Sequence, residues 1–541
     1  MFRRTAQLVA LLAAVMLPTT AMAAELPPAP NDPLYAEQWS LGPETSFGID
    51  LRETWRFGQG DGVVVAVLDS GITDHPEFKG RVLPGYDFIS DLTRAGDGDG
   101  RDADATDPGD WVGLDDVANY RYGTSCDEAV DSSWHGTHVA GTILAAANNG
   151  IGIAGIAPLA QLLPVRVVGH CGGITSDLID AMRWAGGLSV AGVPDNLTPA
   201  RILNISLVIE SPCTDEMQTT VDALAARGVF IVTSVGNENA PAAQYAPANC
   251  GGTITVGAST PRGGRASYSN YGSAVDLSAP GGESDAASSI ISTLNRGTTV
   301  ATEADYARAS GTSMAAPHLT GLLAVIVAAE PDLPSDDLFT LLFANLAPFD
   351  TGSACTAFRT LCGNGIANGA RLYAAFTARA AAVTTLAAPT IIVAGASDAV
   401  TATVDGNPVE LTSTAPTVCS VASGRVMALA SGTCLLRYRR PGSSTQQPVD
   451  IRTSIIVPGN VPTLQVTAPT RLKVGRRTSP TIVTSSDAAV SITSRTPRTC
   501  RVGSAGRIIA IAVGTCRVRV TLPTTAQFTA RRLTVVLSIK R

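Results

Sequence analysis

Short apolar runs alternate with helical segments through residues 61–345, and this alternation limits the possible folds more than any other feature of the chain. The apolar runs cover 63–68, 162–168, 201–207, 229–234 and 253–256. Helical patterns cover 136–147, 176–190, 215–227 and 312–329. Such apolar runs are typical of strands buried on both faces. The alternation therefore predicts an α/β fold, a doubly wound and mostly parallel sheet within residues 25–376.

The alternation stops near residue 380, where the chain becomes rich in Val, Thr, Ser and Ile. Residues 377–390 are small and Ala/Thr-rich, which predicts a linker. Beyond them a motif that ends in Cys419 and Gly432-Thr-Cys434 returns with Cys500 and Gly514-Thr-Cys516. The two copies predict two small all-β, sandwich-like modules at 391–460 and 461–541.

The N-terminus has the pattern of a secretory signal. Arg3 and Arg4 precede an apolar run over 8–17, and Ala21-Met22-Ala23 offers small residues for cleavage. The run is too short for a permanent membrane helix, and we expect no transmembrane segment in the mature chain. Residues 1–24 are therefore predicted to be a signal peptide, which makes the protein secreted, periplasmic or cell-surface.

Ten cysteines follow the signal segment. An even number in an oxidising compartment favours disulfides, and no close CxxC pair suggests zinc. Connectivity stays open on sequence alone, but pairing of neighbours is economical. It predicts bonds 126–171, 213–250, 355–362, 419–434 and 500–516.

Charge divides unevenly along the chain. Residues 387–541 hold 19 of the 39 Lys and Arg but only 5 of the 46 Asp and Glu. Either both parts have ordinary solvated surfaces, or the basic C-terminal modules meet an anionic surface.

Three polar residues stand where a serine-based acyl transfer would need them. Asp69 ends the first apolar run, His135 opens the first helical pattern, and Ser313 opens the helical pattern that contains Pro317. A nucleophilic serine needs a base, and the base needs a group that fixes its tautomer. Proline is tolerated in the first helical turn, where we expect Pro317.

The motifs around these residues resemble those of the subtilase family, in its order Asp, His, Ser. The resemblance covers roughly residues 31–375 and implies a subtilisin-like fold and a serine endopeptidase with protein or peptide substrates. It implies no nucleic-acid partner. The implied catalytic residues are Asp69, His135, Ser313 and the oxyanion donor Asn237. The implied substrate pocket includes Ser206, Leu207 and, at its base, Glu238, which would tolerate basic or large side chains.

The resemblance also implies structural Ca²⁺. The loop Asn148-Asn149-Gly150-Ile151-Gly152-Ile153 is similar to the family's calcium loop, and its oxygen ligands suit this ion. The implied ligands are the side chains of Asp32, Glu77 and Asn149 and the carbonyl oxygens of Ala147, Ile151 and Ile153. A separate run of carboxylates, 97–104, lacks the last glutamate of an EF-hand. It is either an irregular Ca²⁺ loop or a solvated acidic insertion.

Two departures from the family pattern have consequences. Val208 stands where glycine is usual, and its branched Cβ is expected to narrow the substrate cleft. A propeptide of some eighty residues is usual, whereas about ten residues separate the signal from Asn31-Asp32-Pro33 here. We therefore expect folding without a propeptide, or a substitute for it.

Two other classes of protein compete with a protease. An adhesin or carbohydrate-binding protein would use the α/β domain as a scaffold, and the two β modules favour it. A lipase or esterase would need a Gly-x-Ser-x-Gly elbow and the order Ser, Asp, His, which this chain lacks.

Overall fold

The structure is a computed structural model that describes residues 26–122, 126–458, 463–486, 488–523 and 530–541. The predicted signal peptide lies outside the described residues. The chain divides into two compact units. The first runs to Pro331 and includes Phe339–Thr377, and the second comprises Asp332–Leu338 and Ala378–Arg541.

A seven-stranded sheet forms the centre of the first unit, and all of its neighbouring strands are parallel. Across the sheet the strands are Tyr86–Asp87, Gln161–Arg166, Val64–Asp69, Ile202–Ile205, Phe230–Ser234, Ile254–Ser259 and Leu277–Pro280. The predicted doubly wound fold is confirmed.

The strand Val64–Asp69 marks the point where the strand order reverses. It pairs with Gln161–Arg166 on one side and with Ile202–Ile205 on the other. Crevices of open α/β sheets form at such a point, outside the carboxyl ends of the strands. Asp69 is the last residue of the strand, so it lies at the edge where such crevices form.

Helices cover the sheet. Those of eight or more residues in the described chain are His135–Leu144, Thr175–Ala185, Asp215–Ala226, Thr312–Ala329, Ser335–Ala344 and Gly369–Ala378. Shorter ones are Leu51–Thr54, Leu92–Ala95, Leu114–Ala118 and Ala354–Ala357. Among the described residues, Thr312–Ala329 alone has the length and apolarity to cross a membrane, but 89% of it is buried inside the protein, as in a core helix.

An antiparallel hairpin that the periodicity did not predict packs against the helix His135–Leu144. Its strands are Ile290–Asn295 and Ala304–Ala309. Side chains of Ser292 and Thr293 donate hydrogen bonds to carbonyl oxygens of the helix His135–Leu144, each at 2.7 Å. The hairpin therefore supports the helix that begins with His135.

All five predicted disulfides are present. The described residues include no free cysteine.

The first β module begins earlier than predicted. Residues Thr384–Ala387, placed in the linker, form a strand that pairs with Thr401–Val404, which pairs in turn with Asn407–Val409. An Ala/Thr-rich composition is typical of a linker, but threonine also favours strands, and this strand is exposed at the edge of its sheet. The other strands of this module are Ser397–Ala399, Thr412–Ser413, Cys419–Ala422, Arg425–Ala428, Gly432–Arg440 and Val449–Val457.

The second module is built mostly of antiparallel strands around a small core, and Arg471–Lys473 pairs in parallel with Arg531–Lys540. Its strands are Leu464–Thr467, Arg471–Lys473, Arg477–Thr478, Thr481–Thr484, Ser491–Ser494, Cys500–Val502, Ile508–Ala510, Gly514–Leu522 and Arg531–Lys540. The buried disulfide Cys500–Cys516 packs with Ile508, Val518 and Leu537. The predicted all-β character of both modules is confirmed, while their remaining boundaries stay predictions.

Candidate active site

Asp69 and His135 meet at the carboxyl edge of the sheet. The Nδ1 atom of His135 lies 2.7 Å from Oδ1 of Asp69, which also accepts the backbone N–H of Ser70 at 2.8 Å. Asp69 is only 1% exposed, and its buried Oδ2 has no hydrogen-bond partner among the described residues. The Asp69 carboxyl group, itself held by the Ser70 N–H, therefore fixes the orientation of the imidazole ring.

Local backbone geometry brings His135 close to Asp69. Trp134 adopts a left-handed conformation with φ 49°, and its buried ring donates to the carbonyl oxygen of Gly297 at 2.6 Å. A side chain at φ above zero costs about 1 kcal/mol, which the burial of the indole offsets. A Cβ on Gly136 would lie 2.3 Å from the carbonyl oxygen of Gly71, so only glycine permits this approach of helix and strand.

Ser313 is held by two reciprocal hydrogen bonds to Ser206. Its hydroxyl donates to the carbonyl oxygen of Ser206 at 3.0 Å, and the Ser206 hydroxyl donates to the Ser313 carbonyl oxygen at 2.9 Å. That carbonyl is free because Pro317, four residues on, has no N–H to donate to it. The helix begins at Thr312, so Pro317 is its sixth residue. The prediction of first-turn placement was wrong, and Ser206 supplies the missing donor instead.

The side chain of Asn237 has one possible orientation. Its Oδ1 accepts the backbone N–H of Thr312 at 2.9 Å and the Thr312 hydroxyl at 3.0 Å. Two donors require an acceptor, so the amide nitrogen must point the other way. Both Asn237 Nδ2 and the backbone nitrogen of Ser313 lie 3.6 Å from the position of a Cβ on Gly311. Both N–H groups therefore border the same space beside Gly311.

One cavity of about 250 Å³ unites these groups. Val208, the residue expected to narrow the cleft, is part of its wall. The complete lining is Asp69, Ser133, His135, Val168, Ser206, Leu207, Val208, Ser234, Gly236, Asn237 and Ser313.

Glu238 is not among the residues that line this cavity. Its Oε2 accepts the side-chain amide of Asn270 at 2.6 Å, and its backbone N–H donates to Oδ1 of the same residue at 3.1 Å. Gly236 makes this arrangement possible, since its φ is 101° and a Cβ there would lie 2.3 Å from Asn270 Nδ2. The structure thus brings Ser206 and Leu207 to the cleft and directs the Glu238 carboxylate toward Asn270.

Two carboxylates that sequence reasoning missed support the site from one loop. Asp107 accepts the Ser70 hydroxyl at 2.7 Å, and Ser70 in turn accepts the backbone N–H of Gly136 at 3.0 Å. Asp110 accepts both the N–H and the hydroxyl of Ser133 at 2.6 Å. The density of Asp residues before position 111 was the available signal, but sequence spacing does not reveal contacts across 23 or more residues.

Electrostatics favour a basic imidazole at position 135. Burial opposes its charged form, but the carboxylate of Asp69, with smaller effects of Asp110 and Asp107, outweighs burial and raises the pKa of His135. Two other histidines on the same helices behave differently. Burial lowers the pKa of His138 and of His318 to about 4, so both stay neutral in the range where His135 titrates.

The side chains predicted to bind calcium come together at the loop after the helix His135–Leu144. Asp32 accepts the backbone N–H groups of Asn148 and Asn149 at 2.9 and 3.1 Å, and Glu77 accepts the Asn149 amide at 2.8 Å. Glu77 also accepts the hydroxyl of Tyr306 at 2.8 Å. Burial raises the pKa of Glu77, and these donors oppose that rise.

Three carbonyl oxygens of this loop are also available. Those of Ala147, Ile151 and Ile153 accept no hydrogen bond within the described chain, although Ile153 is fully buried. No group of three or more His, Cys, Asp or Glu side chains suited to a metal occurs among the described residues. The donor set here is different, because it adds carbonyl and amide oxygens to two carboxylates, and such a set fits Ca²⁺.

The acidic run at 97–104 is tied to a buried arginine. Asp97 accepts from Nη1 of Arg166 at 2.6 Å, and Asp87 pairs with the same guanidinium. Asp102 and Asp104 accept the backbone N–H groups of Asp104 and Thr106 at 2.8 and 2.9 Å. These bonds make the run a structured turn within the described residues.

The structure thus combines a parallel α/β sheet with Asp69, His135 and Ser313 in one cavity at its carboxyl edge. The profile of the subtilase family matches residues 60–365, more than half of the chain. The protein belongs to the subtilase family.

Several known proteins are similar to it. An extracellular protease of Xanthomonas campestris is 44% identical over 339 residues, which is 63% of this chain and 56% of that protein. An extracellular basic protease of Dichelobacter nodosus is 44% identical over 302 residues, 56% of this chain and 48% of that protein. The chain thus spans about half the length of these relatives. A solved protease structure from Pseudoalteromonas arctica is 42% identical with a TM-score of 0.60, and covers 64% of this chain and 99% of that one.

Proposed function

We propose that the protein is an exported serine endopeptidase with Ser313 as nucleophile, His135 as general base and Asp69 as the group that orients it. The observation that carries this proposal is the 2.7 Å contact between His135 and buried Asp69 in the cavity that also holds Ser313. Subtilase membership and relatives named as extracellular proteases support both the activity and the export.

The proposed reaction begins with a rotation of the Ser313 hydroxyl, which now donates to Ser206, toward Nε2 of His135. Asp69 accepts a hydrogen bond from Nδ1–H of His135, so Nε2 carries the lone pair that removes the Ser313 proton. Oγ attacks the substrate carbonyl carbon, and the tetrahedral intermediate then collapses as imidazolium protonates the leaving amine. Water repeats the sequence on the acyl-enzyme, which releases the acid and restores Ser313.

We assign the oxyanion to Asn237 and to the start of the helix Thr312–Ala329. Thr312 fixes the amide so that Nδ2 is free to donate, and the Ser313 N–H is in the first turn, where helical N–H groups lack partners. Donors fixed before the reaction stabilise developing negative charge without a cost of reorganisation.

Substrate side chains would contact Ser206, Leu207 and Val208, which line the cavity. A branched residue at 208 lies close to Gly236, since its Cγ2 is 3.2 Å from the position of a Cβ there. We therefore expect a narrower cleft than glycine would give. A role for Glu238 requires its carboxylate to leave Asn270 when a basic substrate side chain enters.

We further propose that Ca²⁺ binds the loop at Asn149 with a structural role. Asp32, Glu77 and Asn149 would supply side-chain oxygens, and Ala147, Ile151 and Ile153 carbonyl oxygens. The convergence of these residues and the three unbonded carbonyls support this set. The ion would add stability to the folded loop.

The two β modules are proposed to hold the enzyme at an anionic surface, because the excess of basic residues lies in them. Protein or peptide chains are the proposed substrates, and no nucleic acid is required for the reaction.

Labelling with a fluorophosphonate tests the main proposal. In the wild type, the Ser313 oxygen should displace fluoride from the reagent, which leaves one phosphonylated serine per molecule. The wild type should also cleave peptides in a denatured protein mixture. Ser313→Ala should remain folded, take up no label and cut at most about 10³-fold faster than water, from the oxyanion donors alone. Folded wild type without label would favour the adhesin, and ester hydrolysis without peptide cleavage would favour the esterase.

A further inference from the structure

Basic charge in the C-terminal region is concentrated in the second module. Residues 391–460 have five Lys or Arg and four Asp or Glu, whereas residues 461–541 have fourteen and one. An even spread would suggest a generally soluble surface. This imbalance instead raises the question of whether one face of the module collects the cations.

The largest sheet of the module separates its two faces by strict alternation. In the strand Gly514–Leu522, Cys516, Val518 and Val520 are buried, whereas Arg517 points away from the core and is exposed and Arg519 is half-buried. Residues two apart on a strand share a face, about 7 Å from each other. Arg517 and Arg519 therefore stand side by side on the outer face.

Neighbouring strands bring further cations to the same face. Arg532 lies opposite Thr521, and Arg471 lies opposite Ser538, which itself faces Thr515. All of these residues belong to the outward set of their strands. The described residues of this face include no Asp or Glu.

In two places on this face, two cationic residues lie opposite each other on neighbouring strands. Lys473 pairs in register with Lys540. Arg495 follows the pair Ser494–Val518 and donates its backbone N–H to the carbonyl oxygen of Arg517 at 2.8 Å, so these two are also opposite. Like charges directly opposite destabilise a sheet, whereas an anion between them would remove that cost. We call this surface, from Arg471 and Lys473 across to Arg495, the basic face.

We propose that the basic face binds a linear acidic polysaccharide, one with carboxylate or sulfate groups. This deepens the anchoring role proposed above for the modules. Five of the seven cations are arginines, whose planar forks bind carboxylate or sulfate through two hydrogen bonds. Hydroxyl groups between them, including Thr493, Thr521 and Thr534, are suited to exchange hydrogen bonds with sugar hydroxyls.

Other polyanions fit this face less well. Single-stranded nucleic acid is bound by stacking on aromatic rings, and Phe528 is the one aromatic residue in positions 461–541. Double-stranded DNA is read by a helix or ribbon that enters a groove, whereas this face is the flat side of a sheet. Membrane surfaces also take apolar side chains, and Val536 is the large apolar residue that the basic face exposes.

Binding to alginate, a linear polymer of uronate sugars, tests the proposal. The full chain with Ser313→Ala avoids self-cleavage, and neutral dextran is the control polymer. The face variant is Arg517→Thr, Arg519→Thr and Arg532→Thr. The matched variant is Arg477→Thr, Arg501→Thr and Arg507→Thr. It removes the same charge from exposed positions in and next to the three-stranded sheet that contains Cys500–Val502.

We expect alginate to bind at low salt and to weaken as salt rises, with no binding to dextran. The face variant should bind at least about tenfold more weakly and the matched variant within about threefold of the parent. If both variants lost the same affinity for alginate, the basic face would not be the binding site, and net charge alone would account for the anchoring. Tighter binding to DNA or to phosphatidylglycerol vesicles than to alginate, or no binding at all, would overturn the polysaccharide. Peptide hydrolysis by the wild type is independent of all these outcomes.

Stability gives a second readout. Arg495→Thr should raise the melting temperature of the module by about 1 °C without polymer, because it removes one like-charged pair. At the same concentration, alginate should raise the melting temperature of the parent more than that of the face variant. A destabilised Arg495→Thr variant would contradict the like-charge argument.

Discussion

Two hydrogen bonds from Thr312 decide how the Asn237 side chain acts. Asn237→Ala should lower kcat by about 10²–10³ and leave KM nearly unchanged, because the lost N–H serves the transition state more than the bound substrate. Hydrolysis of a small peptide amide measures this.

Asn237→Asp is the matched control. It keeps the oxygen that accepts from Thr312 and puts a second oxygen in place of the donor, so stability should stay near that of the wild type while kcat falls at least as far. A kcat within threefold of the wild type in either variant would remove Asn237 from the mechanism.

Asp110 provides a test of the electrostatics around His135. Its negative charge favours imidazolium and contributes to the raised pKa of His135. The base must be neutral, so activity falls as pH drops through that pKa. Asp110→Asn should lower the pKa of His135 and move the acid limb of kcat/KM to lower pH, with less than a tenfold loss on the plateau.

Asp115→Asn removes an equal charge from an exposed position nearby and should leave the limb in place. If the acid limb of kcat/KM did not move in Asp110→Asn, or moved to higher pH, the proposed effect of Asp110 on the pKa of His135 would be contradicted.

At the residue scale the sequence predicts groups that motifs mark and misses those that only folding brings together. Asp69, His135 and Ser313 each stand in a motif at the end of an apolar run or the start of a helix. Asp107 and Asp110 have no motif, since their partners Ser70 and Ser133 lie 37 and 23 residues away.

At the element scale, the loop after the helix His135–Leu144 should depend on Ca²⁺. Excess EDTA should lower the melting temperature by roughly 5 °C if Ca²⁺ was present at about 100 times its Kd. The physical reason is that the ion binds the folded loop and not the unfolded chain.

The variant Asn149→Ala distinguishes the stability that the ion contributes from the stability that the hydrogen bonds contribute. This variant loses the bond to Glu77 in either condition, so it starts from a lower melting temperature, but EDTA should lower it no further. Equal EDTA effects in wild type and variant, or none in the wild type, would contradict the site.

The periodicity of the sequence predicts the ends of an element well where a strand is buried or a helix is amphipathic or apolar. The helix predicted at 312–329 has these same ends, and Asp215–Ala226 differs by one residue. The strand Tyr86–Asp87 escaped notice because two residues are too few for a period. Periodicity also cannot show that Ser206 replaces the donor missing at Pro317, because that bond links distant elements.

At the scale of the whole molecule, composition separated the two kinds of domain but not their border. The strand Thr384–Ala387 belongs to the first module because it pairs with Thr401–Val404, and pairing is invisible in a segment of small residues. The basic face is another feature that depends on strand pairing. Fourteen cations are evident in the sequence, but only strand register shows which of them share a side.

Activity on a small peptide should not require the C-terminal unit. The cleanest truncation ends at Thr377, because an end at 386 would leave the strand Thr384–Ala387 without its partner. Asp332–Leu338 belongs to the C-terminal unit, where Asp337 accepts the backbone N–H of Ser444 at 2.7 Å and Asp332 pairs with Arg439. Truncation exposes this segment, at a cost of about 1 kcal/mol for each lost bond.

We therefore expect residues 1–377, expressed alone, to be exported, slightly less stable and to have a kcat/KM for the small peptide within about threefold of the full chain. The full chain with Asp332→Ala and Asp337→Ala is the matched control, since it loses the same two contacts but keeps both modules. A truncated chain that is exported yet inactive, beside an active control, would give the modules a role in folding the protease. If the truncated chain and the control are both active, the modules keep only the proposed anchoring role. This result is expected because the cavity residues from Asp69 to Ser313 all precede Thr377.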